Sequence, residues 1–217
     1  MVKLLYEMLV LLLKLIALDI ILLALKANSV ALLKLVKYGD SILRKKTNQV
    51  LDISDKYQSL IDDMFETMYH EKVVGLAANQ ININLNILVL DISNIINILN
   101  EENIIYENKD AGRKVFFNAK IIDTKNFSIM EEGCLSIPKI RAKIKRPEII
   151  TVEFQDLKGI KYKEKFSGFV SRVLQHEIDH LNGKYFTDYL SPSKKSLIQK
   201  RLMDISKKGY PSTGIVI

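Results

Sequence analysis

Between residues 54 and 71, Leu60, Ile61, Met64, Phe65 and Met68 recur three and four positions apart. That is the spacing of one helix face, and Ser54 stands where an N-cap belongs. A turn containing Gly75, Ala77 and Ala78 is expected over 73–80, followed by a buried strand over 87–91. Further strand-like runs lie at 115–122, 128–131, 148–155 and 160–166, with Asp156-Leu157-Lys158-Gly159 as a hairpin-type connection between the last two. The period then changes. Phe169, Val173, His176, Ile178, His180 and Leu181 occupy a helix-length segment that Asn182-Gly183 should stop. A second helix is expected over 193–208. Strands flanked by a few helices, without βαβ alternation, predict an α+β fold.

Two stretches depart from this pattern. Residues 79–108 hold nine Asn and nine Ile, and their middle, 93–112, is expected to be a long surface loop with little chemistry. Residues 1–25 contain eleven leucines, but Lys3, Glu7, Lys14 and Asp19 leave no uncharged run longer than six residues. Such runs fall short of the ~20 residues that span a bilayer and of the ~7–15-residue centre of a secretory signal. Lys3, Glu7 and Lys14 share a narrow helical stripe, so the segment reads as a very apolar amphipathic helix. It could lie on a membrane surface, pack against the domain or a partner, or be a targeting leader.

Composition narrows the class. The 217 residues are 48% hydrophobic and 26% charged, which suits one folded domain with a sizeable core and argues against disorder. The net charge of +7 makes a polyanionic neighbour plausible. Part of it gathers in Lys194, Lys195, Lys200, Arg201, Lys207 and Lys208, either as a solvated helix face or as a surface for ribosomal RNA. Cys134 is the only cysteine, which rules out an intramolecular disulfide and fits a reducing compartment or a metal ligand.

The candidate chemistry sits in Gln175-His176-Glu177-Ile178-Asp179-His180. Histidines four apart on a helix share a face and can bind one ion, and Glu177 beside the first can take a proton from a bound water. Alone, the pattern is also compatible with an amphipathic helix that happens to carry two histidines. A catalytic site needs a third ligand, and Cys134 supplies a candidate, the alternative being a buried structural thiol.

Three segments together carry a resemblance. Gly75-Leu76-Ala77-Ala78-Asn79-Gln80, Glu132-Gly133-Cys134-Leu135-Ser136 and His176-Glu177-Ile178-Asp179-His180 resemble the signature motifs of peptide deformylases, in the family's order and similar spacing. Residues 38–44, Ile137-Pro138 with Arg141, and Leu181-Asn182-Gly183 agree, so the resemblance covers roughly 32–208. It implies antiparallel strands packed around a central helix that bears the histidines, with a C-terminal helix. It implies hydrolysis of the formyl group from the N-terminal formyl-methionine of nascent proteins. Cys134, His176 and His180 would then bind one divalent metal ion, Fe(II) in many members, with Zn(II) or another ion as the alternative. Glu177 would be general base and acid, and Gln80 with the Leu135 N–H would face the formyl oxygen.

The resemblance places the Gly75 backbone along the substrate, and Glu132 and Arg141 beside the pocket mouth, where they could otherwise form a surface ion pair. Met130, Phe169 and Val173 are candidates for the apolar methionine slot. Asp179 is expected to buttress the helix from outside the ligand set, and His70 to sit at a helix end without a catalytic role. The family usually has a glycine where this chain has Val73. If that position needs φ > 0, valine strains the loop and could lower activity.

The expected organisation is a Leu-rich extension over 1–31, a catalytic domain over 32–208 and a tail over 209–217. The expected partners are formyl-methionyl nascent peptides, the ribosome through the basic C-terminal helix, and a membrane surface through the extension. A monomer in the bacterial cytoplasm is expected, or an organelle of bacterial origin if the extension is a leader. The rival functions are another metallohydrolase, such as a peptidase, and a deformylase-like binding protein with weak or no turnover.

Overall fold

The computed structural model describes residues 31–96, 100 and 112–208. The extension expected over 1–31 (save Ala31), most of the 93–112 loop and the tail over 209–217 lie outside the described residues.

Helix α1 spans Gln58–His70, preceded by a 3-10 turn at Asp55–Tyr57. Ser54 stands at the start of that turn, but its side chain makes no capping hydrogen bond. Where a turn was expected over 73–80, the chain forms the short strand β1, Gly75–Ala77, and a 3-10 turn, Ala78–Ile81. Strands β2 (Ile87–Leu90), β3 (Lys114–Lys125), β4 (Ser128–Cys134), β5 (Ile137–Arg146), β6 (Ile149–Gln155) and β7 (Lys161–Ser167) follow. Helix α2 is Gly168–Leu181 and helix α3 is Pro192–Lys208. All strand pairings are antiparallel: one sheet runs β1-β2-β3-β6-β7, and β4 pairs with β5 in a separate hairpin. This is an α+β arrangement.

Strand β2 shows why its sequence is apolar throughout. Successive side chains of a strand point to opposite faces. Leu88 and Leu90 pack with Phe116, Phe169, Val170, Leu174 and Ile178 against α2. Ile87 and Val89 pack with Phe117, Ile61, Met64 and Phe65 against α1. The sheet is therefore covered on both faces here, and alternation disappears from the sequence. Fully burying one such Phe or Leu contributes roughly 1.5–3 kcal/mol. A third cluster joins Ile137, Ile140 and Ile144 of β5 to Leu43, Phe186, Leu202 and Ile205, seating α3 on the hairpin.

Strand β5 was not expected. Within it Ile140, Ala142, Ile144 and Arg146 turn inward, while Arg141, Lys143 and Lys145 are exposed. Pro138 and a positive φ of 63° at Lys139 interrupt that alternation at its start. Helix α2 ends at Leu181 with Asn182 as its C-cap, and Gly183 (φ 71°) turns the chain away. A Cβ on Gly183 would lie 2.5 Å from the Arg44 carbonyl oxygen, so both its conformation and its space require glycine.

Candidate metal centre

Helix α2 is buried over nearly its whole length, so its polar side chains must find partners inside the protein. His176 and His180 lie one turn apart with ring centroids 4.9 Å from each other. Cys134, the last residue of β4, meets them across the core, its Sγ 3.1 Å from His180 Nε2. The ligand atoms of Cys134, His176 and His180 all lie within 4.8 Å of one another. Ligands bonded at ~2.0–2.3 Å to a shared ion lie within about 4.6 Å of each other, so the cluster is already close to a binding geometry. Its donors, one sulfur and two imidazoles, suit a transition metal rather than calcium or magnesium.

Electrostatics at the cluster point the same way. Burial alone would push the Cys134 thiol up, but the charges and hydrogen bonds of His180 and His176 outweigh it and hold the thiol well below its ordinary range. Burial would lower His176, yet its hydrogen bonds to Cys134 and Glu132 hold it well above its ordinary value. A thiol held low in this way favours the thiolate form that a metal ion requires as its ligand.

Behind His176 lies a network that the sequence did not announce. His176 Nδ1 donates to Glu132 Oε2 at 3.0 Å, which leaves Nε2 as the nitrogen available to an ion. Arg146 Nε and Nη2 donate to the same carboxylate at 2.6 and 2.9 Å, and Arg172 Nη1 does so at 3.0 Å. Burial would raise the Glu132 carboxyl, but His176 and Arg146 hold it far below the usual carboxylate range. Arg146 also donates to Asp179 Oδ2 at 2.5 Å, and the Tyr189 hydroxyl donates to Asp179 Oδ1 at 3.0 Å. Asp179 thus braces α2 from outside the ligand set. His70, at the end of α1, is exposed and lies 3.5 Å from Glu71.

Glu132 does not pair with Arg141. Strand alternation turns Glu132 inward and Glu131 outward, and Arg141 Nε bonds Glu131 at 2.9 Å on the exposed rim. The Glu132 carboxylate is occupied by His176, Arg146 and Arg172 instead of being offered to a ligand at the mouth.

A cavity of about 420 Å³ opens onto the cluster, with Cys134, His176, Glu177, Gln80 and Leu135 in its wall. Gly75, Glu132, Arg141, Met130, Phe169 and Val173 line it as well. Glu177 is buried, its Oε2 has no hydrogen-bond partner among the described residues, and burial pushes its carboxyl up. Gln80 Oε1 accepts the Ala77 N–H at 2.8 Å, which turns Nε2 toward Cys134 Sγ, 3.7 Å away. A Cβ on Gly75 would lie 2.8 Å from Val173 Cγ1 and 2.9 Å from Glu177 Oε1. Only glycine lets β1 pass this close to the carboxylate.

Val73 also lines the cavity, and it is not among the positive-φ residues; the positive φ, 57°, falls on Lys72. The strain expected at Val73 is therefore absent. Arg146 and Arg172 were missed as partners of the site. Their signal was a charge at an inward position of an otherwise apolar pattern: Ile140-Ala142-Ile144-Arg146 on β5, and Phe169-Arg172-Val173 on α2.

A protein-family model described as polypeptide deformylase matches residues 32–196. Peptide deformylase 1 of Shewanella oneidensis is 37% identical over 178 residues, covering 82% of this chain and 98% of the relative. A peptide deformylase of Chlorobium phaeovibrioides is 38% identical over 176 residues, covering 81% and 87% of the two chains. The crystal structure of a peptide deformylase from Legionella pneumophila superposes with a TM-score of 0.70 at 34% identity, covering 83% of this chain and all of that one (100%).

Proposed function

The chain belongs to the peptide deformylase family, and on that premise we propose how its own residues remove the formyl group from N-formylmethionine of nascent peptides. The observation that carries the reading is the convergence of Cys134, His176 and His180, of which Cys134 and His176 share a cavity wall with the buried Glu177, whose Oε2 has no partner among the described residues. Cys134, His176 and His180 hold one divalent ion, for which we propose Fe(II). Such an ion supplies Lewis acidity, polarising a carbonyl and lowering the pKa of water toward ~7.

The rest of the chemistry belongs to the chain. Glu177 takes one proton as the water oxygen adds to the formyl carbon, and burial, which raises its proton affinity, favours that transfer. Gln80 Nε2 and the Leu135 N–H donate to the oxyanion that develops on the formyl oxygen; one such donor is typically worth ~10²–10³ in rate. Glu177 then delivers its proton to the departing α-amine as the C–N bond breaks, and formate and a free amino terminus leave. Met130, Phe169 and Val173 provide the apolar slot for the methionine side chain, and the Gly75 backbone lies along the peptide.

We propose that residues 32–208 form the catalytic domain, that the protein acts as a monomer in the bacterial cytoplasm, and that the basic α3 favours contact with the ribosome. Contact with a membrane surface is assigned to the extension over 1–31. No helix among the described residues is long and apolar enough to cross a membrane. Incubation with formyl-Met, acetyl-Met and unblocked peptides tests the activity. Formate from the first and no cleavage of the others is the expected result, whereas cleavage of the unblocked peptide would indicate a peptidase.

A further inference from the structure

Residues 33–38 adopt no regular element, yet they cross the back of the site and fasten both of its oxyanion-side groups. The Val36 N–H donates to the Gln80 carbonyl at 2.7 Å, and the Tyr38 N–H donates to the Ser136 carbonyl at 2.8 Å. Between them, Lys37 Nζ donates to the Leu135 carbonyl at 3.0 Å. Leu135 and Ser136 are the two-residue turn of the β4–β5 hairpin, closed by the Cys134–Ile137 pair. Hairpin turns ordinarily lie at the surface. This one is buried, Leu135 at 5% exposure and Ser136 at 0%, and both its carbonyls are taken by the same six-residue strap.

We propose that Lys37 is a positioning residue for formyl hydrolysis: its ammonium, held on the Leu135 carbonyl, fixes the turn whose Leu135 N–H meets the formyl oxygen. The inference rests on the deformylase reading of the site. A half-buried ammonium loses hydration, and burial lowers the proton affinity of Lys37 accordingly. An apolar side chain would pack along the strap without that cost, so the charge itself needs a use. Glu71 and Cys134 favour it electrostatically, and the Leu135 carbonyl receives it directly. Because the strap also holds Gln80, it sets the two donors relative to each other. Catalytic donors must be held within ~0.5 Å of their working positions, and a displacement of ~1 Å can cost about 10²-fold in rate.

The test uses the full chain, loaded with metal, as wild type, Lys37→Met and Lys37→Arg. Lys37→Met should lower kcat about tenfold while KM stays within about twofold, the signature of a contact made only in the transition state. Bound metal and melting temperature should not change. Lys37→Arg, which can still donate to the carbonyl, should recover most of kcat. Independently of turnover, the amide resonances of Leu135 and Ser136 should shift in Lys37→Met and return toward wild type in Lys37→Arg. An unchanged kcat in Lys37→Met, or a loss matched by lost metal or a lower melting temperature, overturns the proposal. A wild type that releases no formate overturns the site reading and this inference together. An active wild type with an unimpaired Lys37→Met overturns this inference alone.

Discussion

Glu132 Oε2 accepts the Nδ1 proton of His176 at 3.0 Å, and that carboxylate is itself gripped by two buried arginines. The ring of His176, one of the three proposed metal ligands, is thereby fixed in tautomer and direction by a buried, paired charge. Glu132→Gln keeps the shape but removes the charge, and leaves Arg146 and Arg172 short of a counter-ion. It should cost about 3–5 kcal/mol of stability, the usual cost of breaking a buried pair, and weaken metal retention ~10–100-fold. Denaturant titration and competition with a chelator read the two effects separately. Unchanged metal retention would show that His176 is oriented by something else.

Glu132 also sets a pH dependence of stability. In the unfolded chain its carboxyl titrates near 4.5, and in the folded protein well below that, held down by His176 and Arg146 against burial. The folded state therefore binds fewer protons. Stability is fully present above about pH 4.5 and is lost as pH falls below it. The Glu132 contribution to the melting temperature should hold down to about pH 4.5 and decline below it, and Glu132→Gln should decline less steeply over that lower interval.

Glu177 acts with the opposite sign. Burial pushes its carboxyl above the ordinary 4.5, so the basic form dominates only above that raised value. The acid limb of kcat/KM should consequently lie above pH 4.5 and disappear in Glu177→Gln. That variant should retain its metal and lose ~10²–10⁴ of its rate. Metal loss in parallel with the rate would contradict a purely proton-transferring role.

Lys72, and not Val73, carries the left-handed backbone beside the cavity. Such a conformation costs a side-chain-bearing residue about 1 kcal/mol or slightly more. Lys72→Gly should raise stability by about that amount, and Val73→Gly should not. A gain from Val73→Gly would mean that valine strains the loop after all.

What the sequence disclosed, and what it hid, follows from the range of the interactions. The Cys134, His176 and His180 set could be read because these residue types are scarce in the chain and the two histidines repeat at a helical interval. Helices α1 and α2 were legible from their periodicity. Strand β5 was not, because Pro138 offers no N–H and Lys139 turns to positive φ, so Ile137 and Ile140 fall out of alternation. Arg146 and Arg172 belong to β5 and α2, and their meeting at Glu132 is purely tertiary. No local pattern predicts it. Lys37 is hidden for the same reason, since its partner Leu135 is 98 residues away.

Helix α3 buries Leu202 and Ile205 and exposes Lys194, Lys200, Arg201 and Lys207. If these contact RNA phosphates, co-sedimentation with ribosomes should fall steeply between ~50 and 200 mM salt, as released counterions require. A chain ending at Ser191 should bind less at every salt concentration. Equal binding by the two chains would remove the ribosome proposal and leave the active site untouched.

On the proposed reading, one ion held by Cys134, His176 and His180 makes this chain release formate. Metal-free protein titrated with Fe(II) under anaerobic conditions tests it directly, with formate from a formyl-Met peptide measured at each addition. Turnover should rise linearly with bound ion and stop rising at one equivalent, and a Cys134→Ser protein should neither retain the ion nor turn over. Formate release that is independent of bound metal, or full occupancy and wild-type turnover in Cys134→Ser, would contradict it.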